Sequence, residues 1–272
     1  MVALRFMVGR LRCSSPFLPR SDQGGMALVV VLWLVAALSL FVGSMGGQVR
    51  QQARILSAER ESLQARARAE EVIYAQAAQM LLSRSSVQGR ELISERVSGQ
   101  GGMLEVQAVP WAGLVNINGA SVELLQALFR GAGMAAGQAV TVAREIDRVR
   151  QERAQAKEPF WEVPTELLDV PGMNWLAFER VQDFLVAENG RRSGINEMAM
   201  PPDLKQMLRA AGYMPAGGVG SAAPLYAMRA LVPGEGGKVM LYTLHLNLEK
   251  NNTTGAPWTV VWQSQRWLEA VP

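Results

Sequence analysis

The sequence predicts an α+β fold: one long N-terminal helix, a small antiparallel sheet, and a large helical insertion. Three observations carry that expectation. An uncharged apolar run from Gln23 to Val49 leads into a stretch of strong helix formers that holds neither Pro nor Gly from Gln48 to Ser83. Three strand-like stretches close the chain. Between one early strand and those three lies a helix-rich block, 115–215, with short Gly/Pro punctuation and almost no β-branched runs. The 272 residues amount to one large domain or two small ones, and a hydrophobic fraction of 49% excludes wholesale disorder. One cysteine cannot close an internal disulfide, no Cys/His zinc cluster can be assembled, and any His-dependent triad would have to use His245.

The first element decides where the chain is placed. Residues 1–25 carry Arg5, Arg10, Arg12 and Arg20 against Asp22 alone, and Met26–Gly47 follows without a charge. Roughly 20 residues at about 1.5 Å each cross a hydrocarbon core, so Met26–Met45 is long enough to span a membrane. The arginines before it favour a cytoplasmic N-terminus. Four readings compete: a cleaved secretory signal, a plain signal anchor, a buried core helix, and a leader cut before the apolar run rather than after it. The last needs a basic leader, a glycine at the junction and an apolar helix starting at once, and Gly24-Gly25-Met26 meets all three. A side chain just before the cut would obstruct a peptidase at the membrane face, and Gly25 has none. Removing residues 1–25 leaves 23 basic and 23 acidic residues and no cysteine, so the sequence pI of 9.3 belongs to the leader.

Beyond the apolar run, Ile55, Leu56, Leu63, Ala67, Val72, Ile73, Ala77, Met80 and Leu81 fall on one stripe. This predicts one helix from about Ala27 to Leu82, on the order of 80 Å long. A membrane helix followed by a separate helix is the alternative. Gly99–Gly102 reads as a turn, and Met103–Val109 alternates as a strand does. After the helical block, Leu225–Val232, Val239–Leu248 and Trp258–Trp267 read as an antiparallel meander, separated by Pro233–Gly237 and Asn251–Pro257.

The helical block repeats itself. Glu123–Leu128 through Gly133-Met134 matches Asp203–Leu208 through Tyr213-Met214. Ile117-Asn118 and Ile195-Asn196 precede the two copies, the second with two extra residues in the gap. Helix, Gly-containing hairpin, helix suggests helix-hairpin-helix units, which in other settings bind DNA phosphates through backbone N–H groups. Here Gly131-Ala132-Gly133 has no base before Arg144, Gly172-Met173-Asn174 lacks a second glycine, and 115–215 holds 11 Lys plus Arg against 13 Asp plus Glu. Nucleic-acid affinity comes mainly from neutralised phosphates, so a packing scaffold is favoured over DNA. His245 alternates with apolar neighbours in a strand and reads as structural, and Asn251-Asn252-Thr253 matches a glycosylation acceptor. Trp111, Trp161, Trp175, Trp258, Trp262 and Trp267 read as core or contact residues. No paired-carboxylate, nucleophile or nucleotide motif stands out, which argues against an enzyme.

These residues resemble the type II secretion system minor pseudopilin K (general secretion pathway protein K) family. The likeness lies in Gly25-Met26 with Ala27–Trp33, in Leu114–Ala120 followed by Glu123-Leu124-Leu125, and in Pro159-Phe160 with Glu166-Leu167-Leu168 and Val170–Met173. It covers most of the chain from residue 24 onward. The resemblance implies a pilin-like long helix packed on the sheet, with a helix-hairpin-helix or SAM-like insertion. Its layout is a leader at 1–25, the transmembrane half of the helix at 26–47, and the periplasmic half with a linker at 48–98. A first strand region at 99–114, the helical insertion at 115–215 and the C-terminal strands at 216–272 follow.

Family likeness further implies cleavage between Gly25 and Met26 by a prepilin peptidase, N-methylation of Met26, and a single-pass bacterial inner-membrane protein with its bulk in the periplasm. Ordinary pilins and major pseudopilins resemble one another in carrying Glu as the fifth mature residue, which neutralises a neighbour's N-terminal ammonium; a charge left unpaired in lipid costs at least ~3 kcal/mol. Here that residue is Val30. A subunit without the Glu suits the filament tip, where nothing stacks above it. The implied partners are minor pseudopilins of the I and J types, through them the major pseudopilin, the peptidase, membrane lipid, and the secretin or a secreted substrate. The family also implies calcium at an Asp-rich stretch between hairpin units. Here that stretch is Asp147–Glu158, mixed in sign, and calcium takes 6–8 oxygen ligands, so Asp147 stands as a lone candidate ligand. The alternatives are a membrane-anchored DNA-uptake receptor and a minor pilin of a type IV pilus.

Overall fold

The structure is a computed structural model that describes residues 24–83, 91–99, 102–189, 193–215, 224–249 and 255–268, with the side chains of 24, 25, 27 and 40–50 outside that description. Cys13, most of the leader and Asn251-Asn252-Thr253 lie outside the described residues. The chain divides into two compact units, residues 1–58 and 59–272. In the first, the helix α1 (Gly24–Leu82) begins, and Met26 and Leu28–Leu38 project their side chains outward. The second holds the rest of α1 and every other element.

From Glu59 onward α1 is amphipathic. Ala65, Ala69, Val72, Ile73, Gln76, Ala77 and Met80 are buried, whereas Leu63 and Ala67 are exposed. The expected stripe holds from Val72 to Met80 and fails before it, where Ala65 and Ala69 take the buried positions in place of Leu63 and Ala67. The helix ends where Ser83 donates its N–H to the Gln79 carbonyl and its hydroxyl to the Gln79 and Met80 carbonyls, satisfying acceptors that the last turn leaves open.

The sheet has five antiparallel strands: β1 (Ile93–Gly99), β2 (Gly102–Pro110), β5 (Leu225–Pro233), β6 (Val239–Asn247) and β7 (Thr259–Leu268), in the order β1-β2-β5-β6-β7. Two strands therefore precede the helical block, not one. The sequence ISERVSG hides β1 because it is an edge strand whose Ser94, Glu95 and Arg96 face solvent, so no apolar alternation marks it. The helical block is also not wholly helical: β3 (Val115–Asn116) and β4 (Leu185–Val186) pair in parallel.

Alternation splits the sheet into two faces. Leu104, Val106, Ala108, Tyr226, Met228, Ala230, Val232, Met240, Tyr242, Leu244 and Leu246 form one core with α1. Val109 and Ala227, on the opposite face, pack with Trp111, Leu114 and Val186 of the inserted segment. That segment, between β2 and β5, contains α2 (Val122–Gly131), α3 (Ala136–Ala156), a 3-10 turn at Pro164–Asp169, α4 (Trp175–Val181) and α5 (Pro202–Ala210) around its own core.

The internal repeat is present, its helices matched in the expected register, and only the preceding asparagine pairing shifts, by two residues. Asn116 accepts the Asn118 N–H, and Asn196 accepts the Met198 N–H, the same side-chain turn two residues on. Asn196 thus corresponds to Asn116 rather than Asn118, and the gap of two extra residues vanishes. Leu124 and Leu128 of α2 then match Leu204 and Leu208 of α5, all four buried, at a constant spacing of 80 residues. Each helix ends on a left-handed glycine, Gly133 and Gly212, with α5 one residue shorter. Asn118 does something else: its side chain donates to the Trp161 carbonyl and accepts the Trp161 N–H, tying the first copy to the middle of the insertion.

Candidate functional site

Met26 and Val30 lie on the outward surface of the first turns of α1, 73% and 61% exposed, and Gly25 is in the same helix. Among the described residues no helix is long and apolar enough to cross a membrane, and the side chains of 40–50, which complete the apolar run, are outside those described.

Asp147 lies on α3. One carboxylate oxygen accepts the Gln151 amide at 2.7 Å and the other lies 4.0 Å from Arg150. No group of three or more His, Cys, Asp and Glu capable of holding a metal occurs among the described residues. In the first hairpin Ala132, Gly133 and Met134 donate N–H back to Leu128, Arg130 and Phe129. Arg180 donates to the Ala132 carbonyl at 2.7 Å, and a Cβ on Gly133 would meet its guanidinium at 2.6 Å. An arginine of the protein's own thus lies against the glycine turn where a phosphate would have to approach.

Charged and polar groups gather instead between the insertion and the sheet. Arg229 of β5 is 5% exposed, donates to the Asp183 carbonyl, and lies 4.0 Å from the Asp203 carboxylate. Arg266 of β7 pairs with the Asp183 carboxylate at 2.5 Å. Burial pushes the Asp183 carboxyl up, against the pull of Arg266 and Arg229, and burial likewise pushes Arg229 down. These groups, with Glu105, Leu231, Leu241 and Leu268, line a cavity of about 300 Å³. Beside it Trp111 donates its indole N–H to His245 Nδ1 at 3.0 Å, which fixes His245 as a neutral ring with its proton on Nε2, edge-on to Trp262. The structural reading of His245 agrees with this placement. The neck of the insertion is tight: Asn196 donates its N–H to the Ala112 carbonyl, and a Cβ on Gly113 would overlap the Ala199 carbonyl. Of the tryptophans, Trp111 and Trp161 are buried, whereas Trp175 is 62% exposed beside exposed Leu176.

The buried arginines were not among the residues singled out from the sequence, although two signals mark them. Arg229 is the lone charge in the apolar run Leu225–Pro233. Arg150 continues the buried stripe Ala139, Ala143, Ile146 of α3.

No protein-family model matches the chain, and no curated protein matches it by sequence. Among solved structures, it is similar to a chain of the GspK–GspI–GspJ complex from the enterotoxigenic Escherichia coli type 2 secretion system. The TM-score is 0.38 and the identity 14%, over 76% of this chain and 99% of that one.

Proposed function

We propose that the protein is a non-enzymatic minor pseudopilin of the type II secretion system, located at the pseudopilus tip, where it starts filament assembly for protein export across the outer membrane. The observation that carries this reading is architectural: a long N-terminal helix lies on an antiparallel sheet, and a separate helical core is inserted between two neighbouring strands of that sheet. This is compatible with the pilin-like arrangement and bulky helical insertion that the sequence resemblance implies, and such an insertion would obstruct stacking of a further subunit. Val30 supports it, since a subunit without the fifth-position Glu offers no counter-charge to a subunit above. On this reading the helix is anchored in the inner membrane and the head lies in the periplasm. The partners are the I- and J-type minor pseudopilins and, through them, the major pseudopilin.

The intact mass of the membrane-extracted protein, with and without a co-expressed prepilin peptidase, tests the reading. Loss of residues 1–25 and one added methyl group on Met26 is expected. A full-length chain in an active-peptidase strain rules the reading out. The DNA-receptor alternative is disfavoured by the charge of residues 115–215, with 11 Lys plus Arg against 13 Asp plus Glu.

A further inference from the structure

A second concave site lies wholly within the insertion, between the start of α2 and the middle of α3, and it does not depend on the pseudopilin reading. Its volume is about 450 Å³, and its walls include Ser121, Asp147, Arg150, Gln151, Phe160 and Ser193. Arg150 is 8% exposed. Its Nε donates to the Ile117 carbonyl and one terminal nitrogen to the Ala120 carbonyl, both at 2.7 Å. The other terminal nitrogen, Nη2, is out of solvent and has no hydrogen-bond partner among the described residues. A buried cationic donor left unmatched is costly, and native structures resolve such a group with an ordered water or an ion. Burial brings the Arg150 pKa down to about 10, so the group is still a cation at neutral pH. Beside it is the start of α2, a ten-residue helix whose first-turn N–H groups carry partial positive charge. Ser121, the cap, satisfies the Leu124 N–H.

We infer that this cleft binds a single carboxylate group carried by a polypeptide, with Arg150 as its cation and the start of α2 as its second donor. One guanidinium balances one negative charge. Among the described residues of the lining Asp147 is the one acid, and a phosphate dianion would leave excess charge next to it. Phe160, Ala154 and Ala120 supply an apolar wall for the stem of the carboxylate. The donor set also decides between anion and cation here: it offers N–H and O–H groups around one carboxylate, the reverse of what calcium takes. Asp147, half exposed and 4.0 Å from Arg150, competes with the ligand rather than coordinating a metal.

The test uses the full chain in detergent micelles and ligand-detected NMR. N-acetylphenylalanine is compared with N-acetylphenylalanine amide, and N-acetylglutamate α-amide serves as the side-chain carboxylate. Both acids are expected to bind and the neutral amide is not; the tighter acid tells whether a chain terminus or an acidic side chain is the natural source. Asp147→Asn keeps the shape of a half-exposed residue and is expected to tighten the acids by about threefold to fivefold, the scale of one weakly screened charge. Arg150→Met is expected to abolish binding. Because Arg150 also holds two backbone carbonyls, the Asp147→Asn variant carries the decision if Arg150→Met misfolds. Equal binding of acid and amide, no gain in Asp147→Asn, or calcium binding that Asp147→Asn removes would each overturn the proposal.

Discussion

The two faces of the sheet are held by different physics. Toward α1 the sheet presents Val106, Tyr226, Met228, Ala230 and Leu244 to Ala69, Val72, Ile73 and Ala77, all fully or almost fully buried. Apart from the buried Gln76, the polar groups on that side, Glu70, Arg66, Tyr242 and Gln263, sit at its margin, where the Tyr242 hydroxyl donates to Glu70 at 2.7 Å. Toward the insertion the sheet buries Arg229, Thr243 and His245, and meets the buried Asp183. An apolar face tolerates small shifts at modest cost, whereas a buried ionic cluster accepts one arrangement and penalises the loss of any member. The first face is adhesive and the second is directional, so the insertion has one way to sit on the sheet.

The sharpest way to break this contrast is Asp183→Ala. It takes from Arg266 the carboxylate it pairs with and from the deeply buried Arg229 a nearby negative charge, and is expected to cost about 3–5 kcal/mol, read from urea unfolding of the full chain in detergent. Acid acts next. Burial, and then the charge of Arg229, holds His245 down to about 3, while the unfolded chain protonates near its ordinary 6.5. The folded state thus refuses a proton that the unfolded state accepts. Stability is complete above about pH 6.5 and falls by about 1.4 kcal/mol per pH unit on the way to pH 3. A pH series of unfolding curves checks this, with the slope reduced in His245→Gln. On the other face the effects are smaller. Tyr242→Phe removes one marginal hydrogen bond, while Arg66 stays 2.8 Å from Glu70, and should cost about 1 kcal/mol. Ile73→Val in the centre of the apolar face should cost about 0.5–1.5 kcal/mol. If Ile73→Val proves as damaging as Asp183→Ala, the contrast between the faces fails.

The sequence made the apolar face legible and the polar one obscure, for one physical reason. The apolar runs Leu225–Val232 and Val239–Leu248 place β5 and β6 within a residue of their observed ends, because a short apolar run bounded by turn residues reports burial directly. A charge in a strand carries no such report: Arg229 reads as a solvated residue until Asp183, 46 positions earlier, is seen to meet it. The edge strand β1 escapes because its exposed charges erase the period. The repeat was visible, but matching the letters Ile-Asn chose Asn118. The structure chooses Asn116, since the homology lies in which side chain turns the backbone. Of the residues singled out beforehand, Met26 and Val30 stand on the surface of α1, and Asp147 borders the cleft whose central group, Arg150, had not been noticed.

The inserted unit leaves the sheet at Pro110 and returns opposite it at Tyr226, a directly paired position. An unfolded insertion would make that pairing close a loop of more than a hundred residues, whereas a folded one delivers both ends already side by side. The helical unit therefore acts as the clasp of the sheet. By contact order its local contacts are expected to form early, its neck at Asn196 and Ala112 to bring the two flanking strands together, and the β2–β5 pairing to follow as a late step of assembly.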